Sequence, residues 1–318
     1  MNDHLNLEIE VPANMAGRRL DQVAAELIPD YSRARLQSWI KGGQLTLNGA
    51  PAKPKDKLFG GERLSLDAEL EAQGAWRAQP MDLDIVYEDD SLLVINKPAG
   101  LVVHPAAGNP DGTLLNGLLH HSPSQEKIPR AGIVHRLDKD TSGLMVVAKT
   151  LSAQVHLVDQ LKQRTVSRQY DALVQGLVTG AGRVDAPIGR HKQNRLKMAV
   201  LEFGGKEAIT HYQVQQRFRA HTLLRCKLET GRTHQIRVHM THIRHPLVGD
   251  PLYGGRSKLP PESNAELIGA LQGFPRQALH AAELALIHPD SGEEMHWYAS
   301  MPADMLALID LLAHNNAQ

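Results

Sequence analysis

The sequence is poor in several things that would each have pointed to a function. It has one cysteine, Cys226, in 318 residues. That excludes an intramolecular disulfide and every multi-cysteine zinc or iron–sulfur site. Aromatic residues make up only 4%, so any stacking surface must rest on a few particular rings. No apolar run approaches the roughly 18 residues that a helical membrane span needs. The opening Met1-Asn2-Asp3-His4-Leu5 has no basic stretch leading into an apolar one, so no secretory signal is expected and a cytoplasmic protein is. With 42% hydrophobic and 22% charged residues, the composition is that of a folded chain rather than a disordered one.

Net charge is also lacking: 35 Lys and Arg face 35 Asp and Glu. The distribution along the chain is uneven. Residues 186–245 hold twelve Lys/Arg against three acids, with seven histidines besides. Residues 31–60 hold six bases against Asp56 alone, whereas residues 246–318 hold three bases and nine acids. Two basic regions in a neutral chain point to a polyanionic partner, nucleic acid first. On charge alone, two ordinary solvated faces explain the pattern as well.

Hydrophobic periodicity outlines two units. Leu20, Val23, Ala24 and Leu27 recur at helical spacing, with Pro29-Asp30 as a stop. Ser32 can cap a second helix through Leu36 and Ile40, whose outer face carries Arg33, Arg35 and Lys41. Gly42-Gly43, the strand Leu45-Thr46-Leu47, the turn Asn48-Gly49, a basic loop at 53–57 and the strand 63–66 complete a first domain over 12–75. A polar linker over 76–82, marked by Pro80, leads to a second domain over 83–318. There, strands are expected at 85–87, 92–95, 144–148, 170–175 and 222–228, and helices at 153–164, 233–243 and 303–313. Strands and helices do not alternate regularly, which predicts an α+β fold rather than a doubly wound sheet.

The densest polar constellation is the stretch from Arg130 to Lys149, which passes from Ile133-Val134 through a charged turn into Leu144-Met145-Val146-Val147-Ala148. A turn between two buried segments can present His135, Arg136, Asp138, Asp140 and Thr141 to a cleft. It can equally be a surface turn with local ion pairs. The segment His135-Arg136-Leu137-Asp138-Lys139-Asp140-Thr141-Ser142-Gly143 resembles the active-site motif of the RluA-type pseudouridine synthases. Further segments are similar to that family's other motifs, in order: 96–105 from Asn96-Lys97-Pro98, Arg168-Gln169-Tyr170, 229–237 ending in Gln235-Ile236-Arg237, 245–254 from His245-Pro246, and Leu279-His280-Ala281. Residues 17–66 resemble an S4 RNA-binding domain. Several motifs in register over some 150 residues make a far more specific signal than one short match.

The resemblance implies a catalytic domain built on a mostly antiparallel mixed sheet crossed by an RNA cleft, preceded by a small S4-like α/β domain. It implies Asp138 as the essential carboxylate, Tyr170 as the platform for the target base, and Arg237 as the partner of Asp138. Breaking a glycosidic bond develops positive charge on the sugar, which an ionised carboxylate stabilises or attacks. Attack at C1′, attack at C6 of the base and removal of the 2′ proton all remain open for Asp138. A duplex hides that bond, so the base must be flipped out, and Arg136 is implied to enter the vacated stack. Arg33, Arg35, Lys41, Arg190, Lys192, Arg195 and Arg232 are the expected contacts to RNA. No cofactor and no metal are expected. The partner implied is large-subunit ribosomal RNA or its assembling particle, at the helix 69 stem-loop, for a protein acting as a monomer. Two rival readings stand beside this one. A non-catalytic RNA-binding assembly factor is disfavoured by the intact Asp138, Tyr170 and Arg237. A metallohydrolase would rest on His239, His242 and His245, three apart, but no nearby acid or cysteine completes a site.

Overall fold

The computed structural model describes residues 4–28, 31, 33–69, 76–106, 108–194 and 196–317. The stop at Pro29-Asp30, the cap Ser32, Arg195 and residues 70–75 lie outside them. The amino-terminal unit runs β1 (His4–Glu10), α1 (Leu20–Leu27), α2 (Arg33–Gly42), β2 (Leu45–Leu47) and β3 (Arg63–Glu69). Its three-stranded sheet has the order β1-β3-β2. Strand β1 pairs antiparallel with β3 from His4 opposite Glu69 to Glu10 opposite Arg63. The unit therefore begins before residue 12, where the sequence reading set its edge. Leu5, Leu7 and Ile9 alternate with polar residues and lean on a core of Val23, Leu36, Ile40, Leu45 and Leu64. At Asn48-Gly49 the two residues adopt φ of 51° and 76°, the left-handed pair of a tight two-residue turn.

The second unit follows as β4 (Ile85–Glu88), β5 (Leu92–Lys97), α3 (Leu114–His121), β6 (Ser142–Ala148), α4 (Leu151–Gln163) and β7 (Ser167–Gln175). Then come β8 (Gly182–Asp185), β9 (Ile188–Arg190), β10 (Met198–Val200), β11 (Ile209–Arg217), β12 (His221–Leu228) and α5 (Gln235–His242). It closes with α6 (Ala265–Gly273), β13 (Leu279–Ile287), β14 (Glu294–Tyr298) and α7 (Ala303–Ala317). Nine strands form one sheet in the order β4-β5-β6-β13-β7-β12-β11-β8, with β14 beside β13. Every pairing in it is antiparallel except that of β6 with β13. The segment expected to be a linker, 76–82, packs here: Trp76 leans on this core, and Asn116 donates to the carbonyl of Arg77 at 2.8 Å.

Close approaches to β6 locate the polar turn. Gly143 has φ of 114°, and a β-carbon there would stand 2.2 Å from the carbonyl oxygen of Ala281. Only glycine lets β6 and β13 meet at that point. β5 covers the opposite edge of β6 throughout, but β13 pairs only at Ser142 and Gly143, and the segment before the turn fills the rest of that same edge. Ile133 bridges to Val147, and the Val146 amide donates to His135 Nε2 at 3.1 Å.

Candidate active site

The turn 133–141, strand β7 and residues 231–237 leading into α5 meet at a cavity of about 440 Å³, whose wall α4 completes with Val158, Leu161 and Lys162. The turn is pinned from below. Lys97, 1% exposed, donates from Nζ to the carbonyls of Pro98, Leu101 and Lys139 at 2.8, 3.0 and 2.9 Å. Burial lowers this lysine to about 8, against the pull of Asp140 and Asp138. Arg276 reaches the carbonyl of Asp140 at 3.2 Å while gripping Asp304 with two nitrogens. Gln277 donates to Thr141 Oγ1 at 3.0 Å, and Ser142 meets His280 Nδ1 at 2.9 Å. His135 accepts from Val146 through Nε2, so its proton sits on Nδ1. Burial, helped by the charge of Arg168, pushes it down to about 3. It is a neutral anchor of the turn, not a proton donor at neutral pH.

Asp138 opens into this cavity with its side chain 20% exposed. Arg237 Nη1 donates to Asp138 Oδ2 at 2.9 Å. The same guanidinium makes its forked contact elsewhere, with Nε and Nη2 on the two oxygens of Asp250 at 2.7 and 2.9 Å. Asp250 is held in turn by the amides of Leu252 and Tyr253 at 2.9 and 3.0 Å. Burial alone would lower the Arg237 pKa; the bonds and charges of Asp250 and Asp138 outweigh it and raise it. Arg237 is therefore always charged, and it is fixed in one rotamer by a carboxylate on each side. Asp250 stands inside the quoted segment 245–254, yet nothing in the sequence ties it to Arg237.

Tyr170 lies on β7 with 6% exposure, and its ring forms part of the cavity wall. Burial raises its hydroxyl above the ordinary range, Arg168 pulls against that, and Asp138 adds to it. A tyrosine so placed keeps its proton and offers a flat face rather than a base. Arg136 is exposed at the cavity rim, and Arg232 also lines it while donating from Nε to the carbonyl of Glu207 at 2.9 Å. Arg232 precedes α5, which begins two residues later than periodicity suggests because His234 takes φ of 57° at its N-cap. His234 Nδ1 lies 2.8 Å from the Tyr253 hydroxyl, and its Nε2 is 3.9 Å from Asp138. Burial lowers its pKa, partly offset by Asp138.

Among the described residues lining the cavity, Asp138 is the only acid, against Arg130, Arg136, Lys162, Arg168, Arg232 and Arg237. A lone carboxylate in a cation-walled pocket suits a polyanionic substrate and a reaction that develops positive charge next to that carboxylate.

The remaining expected RNA contacts lie apart. Arg33 turns onto the fully buried Asp21, with Nη2 at 2.7 Å, and stays 45% exposed. Arg35 stacks over Trp39 at 5.1 Å, and Lys41 is exposed on the last turn of α2. Arg190 and Lys192 are exposed at the end of β9 and after it, outside the cavity lining. The three evenly spaced histidines do not converge. His239 is buried between Thr210 Oγ1 and the carbonyl of Ala186, at 2.9 Å each. His245 faces the carbonyl of Gln175 at 3.0 Å, and His242 is exposed. Among the described residues, no three His, Cys, Asp or Glu side chains form a metal-binding group.

The family model described as RNA pseudouridylate synthase matches residues 91–242, and the S4 domain model matches residues 18–64. "Ribosomal large subunit pseudouridine synthase D" of Pseudomonas aeruginosa is 59% identical over 312 residues, covering 98% of this chain and 97% of that protein. The protein of the same name from Yersinia pestis is 56% identical, covering 98% and 96%. Among solved structures, human RNA pseudouridylate synthase domain containing 4 aligns with a TM-score of 0.55 at 27% identity, over 72% of this chain and 92% of the other. Human RNA pseudouridylate synthase domain containing 1 aligns with a TM-score of 0.53 at 27% identity, over 70% and 86%. With a buried-arginine carboxylate facing a tyrosine in the matched region, and near-full-length relatives at this identity, the chain belongs to the RNA pseudouridylate synthase family.

Proposed function

We propose that this enzyme isomerises uridines of large-subunit ribosomal RNA to pseudouridine, in free RNA or an assembling particle, with the helix 69 stem-loop as target. The observation that carries the reading is Asp138, the sole acid of the cavity wall among the described residues, held by Arg237. The names of the near-full-length relatives support the choice of RNA. In this reading the uridine is flipped into the cavity, Arg136 fills the stack it leaves, and the base lies on Tyr170. The N1–C1′ bond breaks beside Asp138, the base turns, and C5 bonds to C1′. Substrate and product have the same atoms and oxidation level, so no group donor is required.

Cations at the rim and beyond it hold the phosphates: Arg232 at the cavity, Arg190, Lys192 and Arg195 on the basic segment, and Arg35 and Lys41 on α2. Arg33 also belongs to this surface, with part of its charge committed to Asp21. The enzyme is proposed to act as a monomer. No helix among the described residues is long and apolar enough to cross a membrane; a cytoplasmic location is part of the same proposal. The two units, 12–75 extended back to β1 and 83–318, then act as anchor and catalyst. Mapping pseudouridines in ribosomal RNA from cells lacking this protein tests the reading. Loss of large-subunit pseudouridines, restored by the wild-type gene, is the expected result; an unchanged large-subunit map would overturn it.

A further inference from the structure

Arg168 is 7% exposed and lines the catalytic cavity. Its Nε is sealed from solvent without an acceptor, and among the described residues its guanidinium has no ion-pair or hydrogen-bond partner. Folds rarely bury a cation this way, because the lost hydration is not returned. Space has even been kept for it: a β-carbon on Gly231 would stand 2.8 Å from Arg168 Nη1. Arg168 and Tyr170 are two apart on β7 and so share a face of the sheet. A base stacked on Tyr170 therefore has this guanidinium beside it.

Two other roles for the cavity's cations are already filled. Phosphates of a bound strand stay near solvent, where Arg130 and Arg136 are exposed at the rim. The carboxylates Asp138 and Asp250 are both served by Arg237. With Arg237 shared between two carboxylates, Asp138 keeps its negative charge available to a sugar becoming electron-poor. The base undergoes the opposite change. When N1–C1′ breaks, the electron pair goes to the base, which leaves as a uracil monoanion with charge shared by N1 and the carbonyl oxygens. C5 then bonds to C1′ and loses its proton, and N1 gains one, so the sum of atoms and electrons is unchanged.

Resting on the uridine reading of this cleft, we infer that Arg168 binds the uracil base through its carbonyl oxygens and stabilises the anion formed on glycosidic cleavage. Its missing partner arrives with the substrate. A guanidinium only donates hydrogen bonds, so it also disfavours cytosine, which presents an amino group where uracil has O4.

The test uses the full chain and a helix 69 stem-loop transcript, with wild type, Arg168→Gln, Arg168→Lys and Asp138→Asn. Single-turnover pseudouridine formation is measured at saturating RNA, together with RNA affinity, its salt dependence and the thermal unfolding midpoint. Arg168→Gln should slow the reaction on the order of 100-fold, as loss of one preorganised donor at a developing anion does. Affinity should stay within about twofold and the salt slope unchanged, because no phosphate contact is lost. The unfolding midpoint should stay level or rise, because an unpartnered charge has been removed. Arg168→Lys should fall between wild type and Arg168→Gln, and it decides the matter if the glutamine variant does not fold. A wild-type rate in Arg168→Lys would then overturn the inference. So would weaker binding with a salt slope shallower by about one and an intact saturated rate, which would mark a phosphate contact. A full rate in Arg168→Gln while Asp138→Asn is inactive overturns the inference alone. An inactive wild type, or an active Asp138→Asn, overturns the uridine reading beneath it.

Discussion

Arg237 and Arg168 are buried in the wall of one cavity to nearly the same degree, 4% and 7% exposed. Arg237 has two carboxylates and uses its fork on the one farther from the reaction, Asp250. Arg168 has none among the described residues. The first arrangement is complete before substrate arrives: it holds the Asp138 carboxylate in place where positive charge will develop. The second is incomplete in the free enzyme, and burial accordingly lowers the Arg168 pKa. Preorganisation at the sugar end and an unsatisfied cation at the base end match the opposite charges that a breaking glycosidic bond creates.

The strongest way to break the comparison is to remove the partnered arginine. Arg237→Ala leaves Asp250 fully buried without its counter-charge, and breaking a buried pair from one side costs about 3–5 kcal/mol. Stability and turnover should fall together, as urea unfolding and single-turnover kinetics would show. Arg237→Lys keeps a charge but loses the fork on Asp250, so it should recover only part of each. A fully stable, fully active Arg237→Ala would mean that Asp138 is positioned by the loop contacts alone.

Asp21 is the mirror case, a buried carboxylate ringed by donors. Burial favours its neutral form, but hydrogen bonds from Arg33, Gln37 and Arg19 outweigh burial and hold it at about 2, below the ordinary 3.8. A depressed carboxylate stabilises the fold above its ordinary pKa, and that contribution is lost as pH falls from about 4 to 2. Asp21→Asn should therefore destabilise the amino-terminal unit by ~1–2 kcal/mol at pH 7, discounted because the arginines are half-exposed. The gap from wild type should narrow as unfolding is followed down to pH 3. A gap constant with pH would show that the charge of Asp21 contributes nothing.

The smallest expected effect sharpens the contrast most narrowly. Gly231→Ala places a methyl group where Arg168 Nη1 now rests, displacing the free guanidinium and leaving Arg237 alone. Stability should change by no more than about 0.5 kcal/mol, while the saturated rate falls several-fold. An unchanged rate would mean that the position of Arg168 is immaterial.

Much of this was legible in the residues. The turn around Asp138 announces itself by polar density between apolar runs, and β5, β6, β7, β12 and α4 follow from periodicity. Strand β1 was legible too: His4 to Glu10 alternates strictly, but it lies before the cluster of signals that marked the domain edge. Helix α3 escaped because Leu114, Leu115, Leu118 and Leu119 are all buried together with Asn116 and Gly117, so no polar face gives the period away. The join of Arg237 to Asp250 and the isolation of Arg168 could not be read at all. Each depends on what surrounds a side chain in space, and a motif letter is the same whether its charge is matched or not.

The central claim is that Asp138 carries the isomerisation from within a cleft of cations. Asp138→Asn keeps the shape of the side chain and removes its charge, so a single-turnover assay on the helix 69 transcript tests it most directly. The account predicts no pseudouridine above background, with RNA affinity within a few-fold of wild type. Turnover within tenfold of wild type would contradict it.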